Sequence, residues 1–162
     1  MTHLGTPINV LDPRVKTAWR MQSALALAVP VVAELVFAGF AGLLGLPVWV
    51  PVAVVALVIA EVVTSVVIVP PVRYRRWRWE VRDEEVRLQE GLLIVTNTVV
   101  PMVRIQHVDT AQGPIMRSLG LTDVHVWTAA GKHVIPALTN EHAAQLRDRI
   151  ATLARVTDDG GL

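Results

Sequence analysis

Residues 21–70 read MQSALALAVPVVAELVFAGFAGLLGLPVWVPVAVVALVIAEVVTSVVIVP, and Glu34 and Glu61 are their only charged side chains. Two apolar runs, residues 23–46 and 48–69, meet at Gly45-Leu46-Pro47. Each is close to the ~20 residues with which an α-helix crosses a ~30 Å hydrocarbon layer. Backbone amides cannot be left bare in lipid, so such a pair folds as a helical hairpin. The sequence therefore predicts a two-helix transmembrane hairpin over residues 21–70. An N-terminal arm (1–20) precedes it, and a soluble domain (71–157) and a flexible tail (158–162) follow.

Hydrophobic residues make up 52% of the 162-residue chain, and the excess lies in this one block. That distribution marks a small integral membrane protein with one soluble domain. The chain has no cysteine, which excludes disulfides and thiolate chemistry. A net charge of +1 gives no chain-wide attraction to nucleic acid. Arg14, Lys16 and Arg20 precede the first span, Arg73, Arg75, Arg76 and Arg78 follow the second, and the turn is uncharged. By the positive-inside rule both termini of this two-pass protein are cytoplasmic and the turn faces outward. A cleaved signal peptide is the competing reading of the first run, but its apolar part is too long and a second span follows at once.

Residues 1–12, with Gly5 and Pro7, read as a flexible arm. Pro13 is placed to start a helix whose Trp19 suits the half-wet interfacial belt. Pro30 inside the first span suggests a kink. Gly39, Gly42 and Gly45, with Ala38 and Ala41, offer a surface where a second helix can approach closely. Glu34 and Glu61 both fall in the middle part of the layer, within about 5 Å of each other in depth. A charge there costs ~2.5–3.5 kcal/mol on insertion scales, so these carboxyls should face protein or water. Desolvation disfavours the ionised form of any carboxyl so placed. They read as a proton or cation path, as a polar anchor for a partner's helix, or as carboxyls hydrogen-bonded across the hairpin or a homo-oligomer.

Beyond Pro70-Pro71 the pattern alternates. Trp77, Trp79 and Val81 interleave with Arg76, Arg78 and Glu80, a period of two that predicts a strand over residues 73–81. Further strands are expected at 86–89, 92–100, 102–110, 121–128 and 133–138. Asp83-Glu84 is a turn, Gly91 a bulge or tight bend, Pro101 a break, and residues 114–119 a helical turn stopped by Gly120. Residues 129–132 have the length and glycine of a hairpin loop. A helix follows over residues 140–155, capped by Thr139 or Asn140. Its apolar stripe is Leu146, Ile150 and Leu153, extended by Ala143 and Ala154. The soluble part is thus an α+β unit, antiparallel strands closed by one amphipathic C-terminal helix.

The run Pro101-Met102-Val103-Arg104-Ile105-Gln106-His107-Val108 carries a resemblance. It continues in Gln112-Gly113-Pro114-Ile115-Met116-Arg117-Ser118-Leu119-Gly120-Leu121, in Trp127-Thr128-Ala129-Ala130 and in Ile135-Pro136-Ala137-Leu138. With Arg73-Tyr74-Arg75, the Gly91 hairpin and two preceding spans, this resembles the bacterial pleckstrin-homology-like membrane proteins, the bacterial PH domain 2 or YdbS-like group. The resemblance implies a PH-like antiparallel β-barrel or sandwich closed by a C-terminal helix. It also implies a non-catalytic membrane module. Phosphoinositide binding does not follow from the fold alone.

No catalytic constellation appears. His107, His125, His133 and His142 lack the close-set spacing of metal ligands, so neither metal nor cofactor is expected. His107 reads as an inward-facing core histidine. Arg104 and Gln106, at i and i+2 of one strand, share a face with Met102 and Val108. Arg104 suits carboxylate or phosphate. Arg117 beside Gly113-Pro114 is of the same kind. These three form a candidate interaction patch, or else they hold the fold by bonding loop carbonyls and pairing across the sheet. Arg73, Arg75, Arg76 and Arg78, with Trp19, form a basic and aromatic set suited to anionic lipid heads. The expected partners are membrane lipids and either another membrane protein or further copies of the chain, with no nucleic acid. Three roles follow: adaptor or assembly subunit, small proton- or cation-conducting oligomer, and cytoplasmic-face sensor of lipid or ligand.

Overall fold

The structure, a computed structural model, describes residues 7–159 and the side chains of residues 7–156. The chain forms two compact units. One is Lys16–Val72; the other joins the residues up to Val15 with those from Arg73 onward.

In the first unit, helix α1 spans Val15–Phe40 and continues through Pro30. It ends in a Schellman turn. Gly45 takes φ +70, the Leu46 amide donates to the Ala41 carbonyl at 3.0 Å, and the Gly45 amide donates to the Gly42 carbonyl at 3.2 Å. Pro47 follows, where no helical amide is required. Helix α2 spans Trp49–Val62, a π-helical segment covers Val63–Ile68, and helix α3 covers Val69–Arg76. Together they form one apolar helix, Trp49–Arg76, 28 residues long. The wide turn has a local cause. Pro70 and Pro71 have no amide to donate, and their rings crowd the carbonyls of the preceding turn. A π bulge shifts the register, and the Val69 amide reaches back to Thr64. Leu25, Val29 and Leu57 are each about 70% exposed or more. A core helix of a soluble protein would cover such side chains; a helix in lipid need not.

The helix overruns the strand expected over residues 73–81, because the bulge lets it survive both prolines. Arg73, Arg75 and Arg76 lie in its last turn, and strand β1 is only Arg78–Val81.

The second unit contains two three-stranded antiparallel sheets. The first pairs β1 with β2 (Glu85–Glu90) and β2 with β3 (Thr96–Pro101). Residues 92–95, expected in a strand, form a loop, and Pro101 closes β3 rather than breaking it. The second sheet pairs β4 (Ile105–Ala111) with β5 (Leu121–Thr128) and β5 with β6 (Gly131–Thr139). Among the described residues no ladder joins the two sheets. Residues 102–104 are a 3-10 turn, which follows from the extended backbone that Pro101 imposes before it. Helix α4 is Pro114–Ser118, stopped by Gly120 at φ +66, and helix α5 is Asn140–Asp159. Thus α5 takes in part of the tail expected to be flexible, while residues 160–162 of that tail lie outside the described residues.

Alternation places Val124 and Val126 of β5 inward, both fully buried, against Ile135 of β6 and Met102. Helix α5 lays Ala143, Leu146 and Ile150 on this sheet, while Thr139 Oγ1 accepts the His142 amide as a cap. Burying a Leu or Ile fully is worth ~1.5–3 kcal/mol, so this stripe is a main reason for the helix to dock. Between Thr122 and Val124 the register slips across Pro136-Ala137, a bulge in which Ala137 takes φ +54. The Asp123 carboxylate accepts the Ala137 amide at 2.8 Å, so the bulged amide is not orphaned.

The arm is not free over the part described. Asn9 and Trp79 exchange two backbone hydrogen bonds of 3.0 Å, adding a bridge to β1, and Leu11 is buried at 1% exposure. Residues 1–6, including Gly5, lie outside the described residues.

Candidate functional site

Arg104 leaves the end of the 3-10 turn and Gln106 stands near the start of β4, so they are not an i, i+2 pair of one strand. Both are exposed, and the two line one cleft of about 440 Å³ with Val99, Val103, Ala130 and His133. Val103 is 63% exposed. Met102, expected on the same face, is fully buried, because the 3-10 turn rotates it into the core. Neither Arg104 nor Gln106 has a hydrogen-bond or ion-pair partner among the described residues. The structural duties proposed for them fall to other side chains.

Gln112 is one of these. Its amide group donates to the Leu121 carbonyl at 2.8 Å, to Thr122 Oγ1 at 3.2 Å and to Asn140 Oδ1 at 3.0 Å. It ties β4, β5 and α5 together at one point. Arg14 is the other. Arg117 is exposed on α4, lines no cleft with Arg104 and Gln106, and has no side-chain partner among the described residues. The three expected patch residues therefore split into a pair and a separate cation.

The basic set also divides. Arg75 is exposed, and so is Arg73, in the last turn of α3. Arg78 donates to the Trp77 carbonyl at 2.7 Å, and Arg76 donates to the Leu92 carbonyl. Trp77 is a core residue at 2% exposure, and Trp19, expected at the lipid interface, is buried at 7%.

His107 does not face the core. It is exposed on β4 and stacks on Trp127 with ring centroids 5.4 Å apart. Trp127 Nε1 donates to Asp109 at 3.0 Å, and His125 Nδ1 lies 3.1 Å from the same carboxylate. Asp109 thereby holds the Trp127 ring, with the His125 ring beside it. Single-sequence periodicity has no signal for such a cluster. Among the described residues no three His, Asp or Glu side chains converge as metal ligands.

Within the hairpin unit, Glu34 and Glu61 are both half-buried. Glu34 Oε2 is covered and has no hydrogen-bond partner among the described residues. The two carboxyls make no bond to each other.

The bacterial PH domain family profile matches residues 24–154. The chain belongs to the bacterial PH domain family. It is 40% identical over 153 residues to "UPF0699 transmembrane protein YdbS" of Bacillus subtilis (strain 168), covering 94% of this chain and 96% of that one. It is 25% identical over 83 residues to "UPF0699 transmembrane protein YdbT" of the same strain, covering 49% of this chain and 17% of the relative. No solved structure matches the chain. The family match runs through most of the hairpin as well as the soluble unit, and both relatives are named as transmembrane proteins.

Proposed function

We propose that this protein is a non-enzymatic, membrane-anchored PH-like module that serves as an adaptor or assembly subunit, binding another membrane protein or further copies of itself. The domain lies on the cytoplasmic side of the bacterial cytoplasmic membrane, with both termini cytoplasmic. The distribution of Arg14, Lys16 and Arg20 before the first span and of arginines after the second supports that orientation. The observation that carries the reading is the cleft of Arg104 and Gln106. A guanidinium and a carboxamide with no partner of their own among the described residues stand beside exposed Val99 and Val103. Mixed apolar and Arg surfaces of this kind recur at protein interfaces. The test is a photo-crosslinking residue in place of Val103, in living cells, with and without Arg104→Glu. A discrete crosslinked band that Arg104→Glu removes supports the reading; no band, or one that Arg104→Glu leaves unchanged, refutes this cleft as the contact.

A second reading rests on Glu34. A carboxyl oxygen covered and unpartnered in a membrane segment suits a proton or cation path in an oligomer, or a bond to a partner's helix.

A further inference from the structure

The loop between β2 and β3 presents Leu93 at 90% exposure, Ile94 at 81% and Val95 at 42%. Three consecutive large apolar side chains are thus offered to the surroundings by a unit that buries most others of their kind.

The loop is built rather than slack. Gly91 sits at φ +137, and a Cβ there would fall 1.8 Å from the Ile94 carbonyl oxygen. The chain folds back on itself at this point, in a way that a side chain would block. Arg76 then latches it: Nη1 donates to the Leu92 carbonyl and lies 3.4 Å from that of Leu93. Gln89 Nε2 closes the clasp by donating to the Arg76 carbonyl at 3.2 Å.

Arg76 is the last residue of α3, which continues the second apolar helix without a break. No charged residue lies between Glu61 and Arg73. The charge at Arg73 marks where the helix becomes too polar for hydrocarbon, and Arg76 is about 4.5 Å further along the axis. The latch holds the loop against the last turn of α3, the turn that carries the first charges after the apolar helix. Arg73 and Arg75 are exposed on the same helical turn, suited to anionic head groups, while Glu90 is the one acidic side chain beside the loop's start.

We propose that Leu93 and Ile94 insert into the boundary between head groups and acyl chains of the membrane that the protein's own helices cross. The occupant of this surface is a lipid leaflet. The inference rests on the reading that Trp49–Arg76 spans the membrane.

Because the chain has no cysteine, single nitroxide labels can be placed without background. The full chain is reconstituted in vesicles of phosphatidylcholine and phosphatidylglycerol, with Leu93→Cys, Ile94→Cys, Val52→Cys in the span, or Glu84→Cys in the exposed β1–β2 turn. Collisions with oxygen and with a water-soluble nickel chelate are then compared. The expected result is lipid behaviour, oxygen exceeding nickel, at 52, 93 and 94, with nickel exceeding oxygen at 84. Water behaviour at 93 and 94, or shielding from both reagents by protein, overturns the inference while a lipid signal at 52 keeps the span. Water behaviour at 52 overturns both.

Discussion

Arg14 donates from Nη1 to the carbonyl oxygen of Leu119 at 2.9 Å, across 105 positions of sequence. Its Nε and Nη2 are held by the two oxygens of Asp12, at 3.0 and 2.9 Å. The residue just ahead of the first span thus satisfies a carbonyl at the C-terminal end of α4. Residues 9–14 are thus a part of the domain rather than an appendage.

This clasp predicts a pH dependence. The hydrogen bond from Arg14 holds the Asp12 carboxyl below its ordinary value of 3.8, against the opposing effect of partial burial. A depressed folded value means that the stabilisation is fully present above 3.8 and is lost as pH falls through the folded value. Asp12→Asn should lower the melting temperature at neutral pH by a few degrees at most, since the pair is solvent-facing. The gap from the parent protein should close below pH 3.8. Thermal melts in detergent across that range check it; a gap independent of pH would show that Asp12 acts through shape rather than charge.

Gln112→Ala removes three hydrogen bonds at once, to the Leu121 carbonyl, Thr122 Oγ1 and Asn140 Oδ1, and leaves only the bond from Thr122 Oγ1 to Asn140 Oδ1 at this junction. A hydrogen bond of this kind contributes ~0.5–1.5 kcal/mol net, so losing three gives a clear fall in melting temperature. The loss should exceed that of Gln106→Ala, since Gln106 has no partner to lose among the described residues.

Gly91→Ala must displace the Ile94 backbone from an unfavourable φ, at a cost of at least ~1–3 kcal/mol. Gly39→Ala meets open space in a helix and should be tolerated or mildly stabilising. Comparing melts of the two proteins separates a glycine that the backbone requires from one that it does not.

Glu34→Gln and Glu61→Gln keep shape and remove charge. If these carboxyls anchor a partner helix, the substitutions change the assembled mass, and vesicles show no ion flux to lose. If they conduct, flux through reconstituted vesicles falls while the mass is unchanged.

Much of the fold is legible in the sequence because its signals are long and redundant. The hairpin follows from two uninterrupted apolar runs with a Gly-x-Pro stop between them. Helix α5 follows from Ala143, Leu146 and Ile150, all buried on one stripe. The errors fall where two signals compete. Alternation in Arg76-Trp77-Arg78-Trp79 is real for β1, but it says nothing about where a helix entering from the N-terminal side will stop. Here the π segment carries that helix past Pro70 and Pro71. Met102 and Arg104 look like strand residues because three positions are too few to tell a period of two from the three-residue period of a 3-10 turn, and the turn puts Arg104 on the surface while Met102 is buried. His107 looks inward by parity, but the register shift between Ile105 and His107 turns it out onto Trp127. The roles of Arg14 and Gln112 depend on contacts across distant segments and leave no local pattern to read. Of the candidate patch, Arg104 and Gln106 line one cleft from two different elements rather than one strand, and Arg117 stands outside it, a placement that spacing along the sequence does not encode.

The most direct test of the adaptor reading is the mass of the full chain extracted from its native membrane in mild detergent. The predicted result is a complex heavier than one 17.7 kDa chain, containing either a stoichiometric second membrane protein or a fixed number of copies, and weakened by Arg104→Glu. A monodisperse monomer with no companion would contradict it.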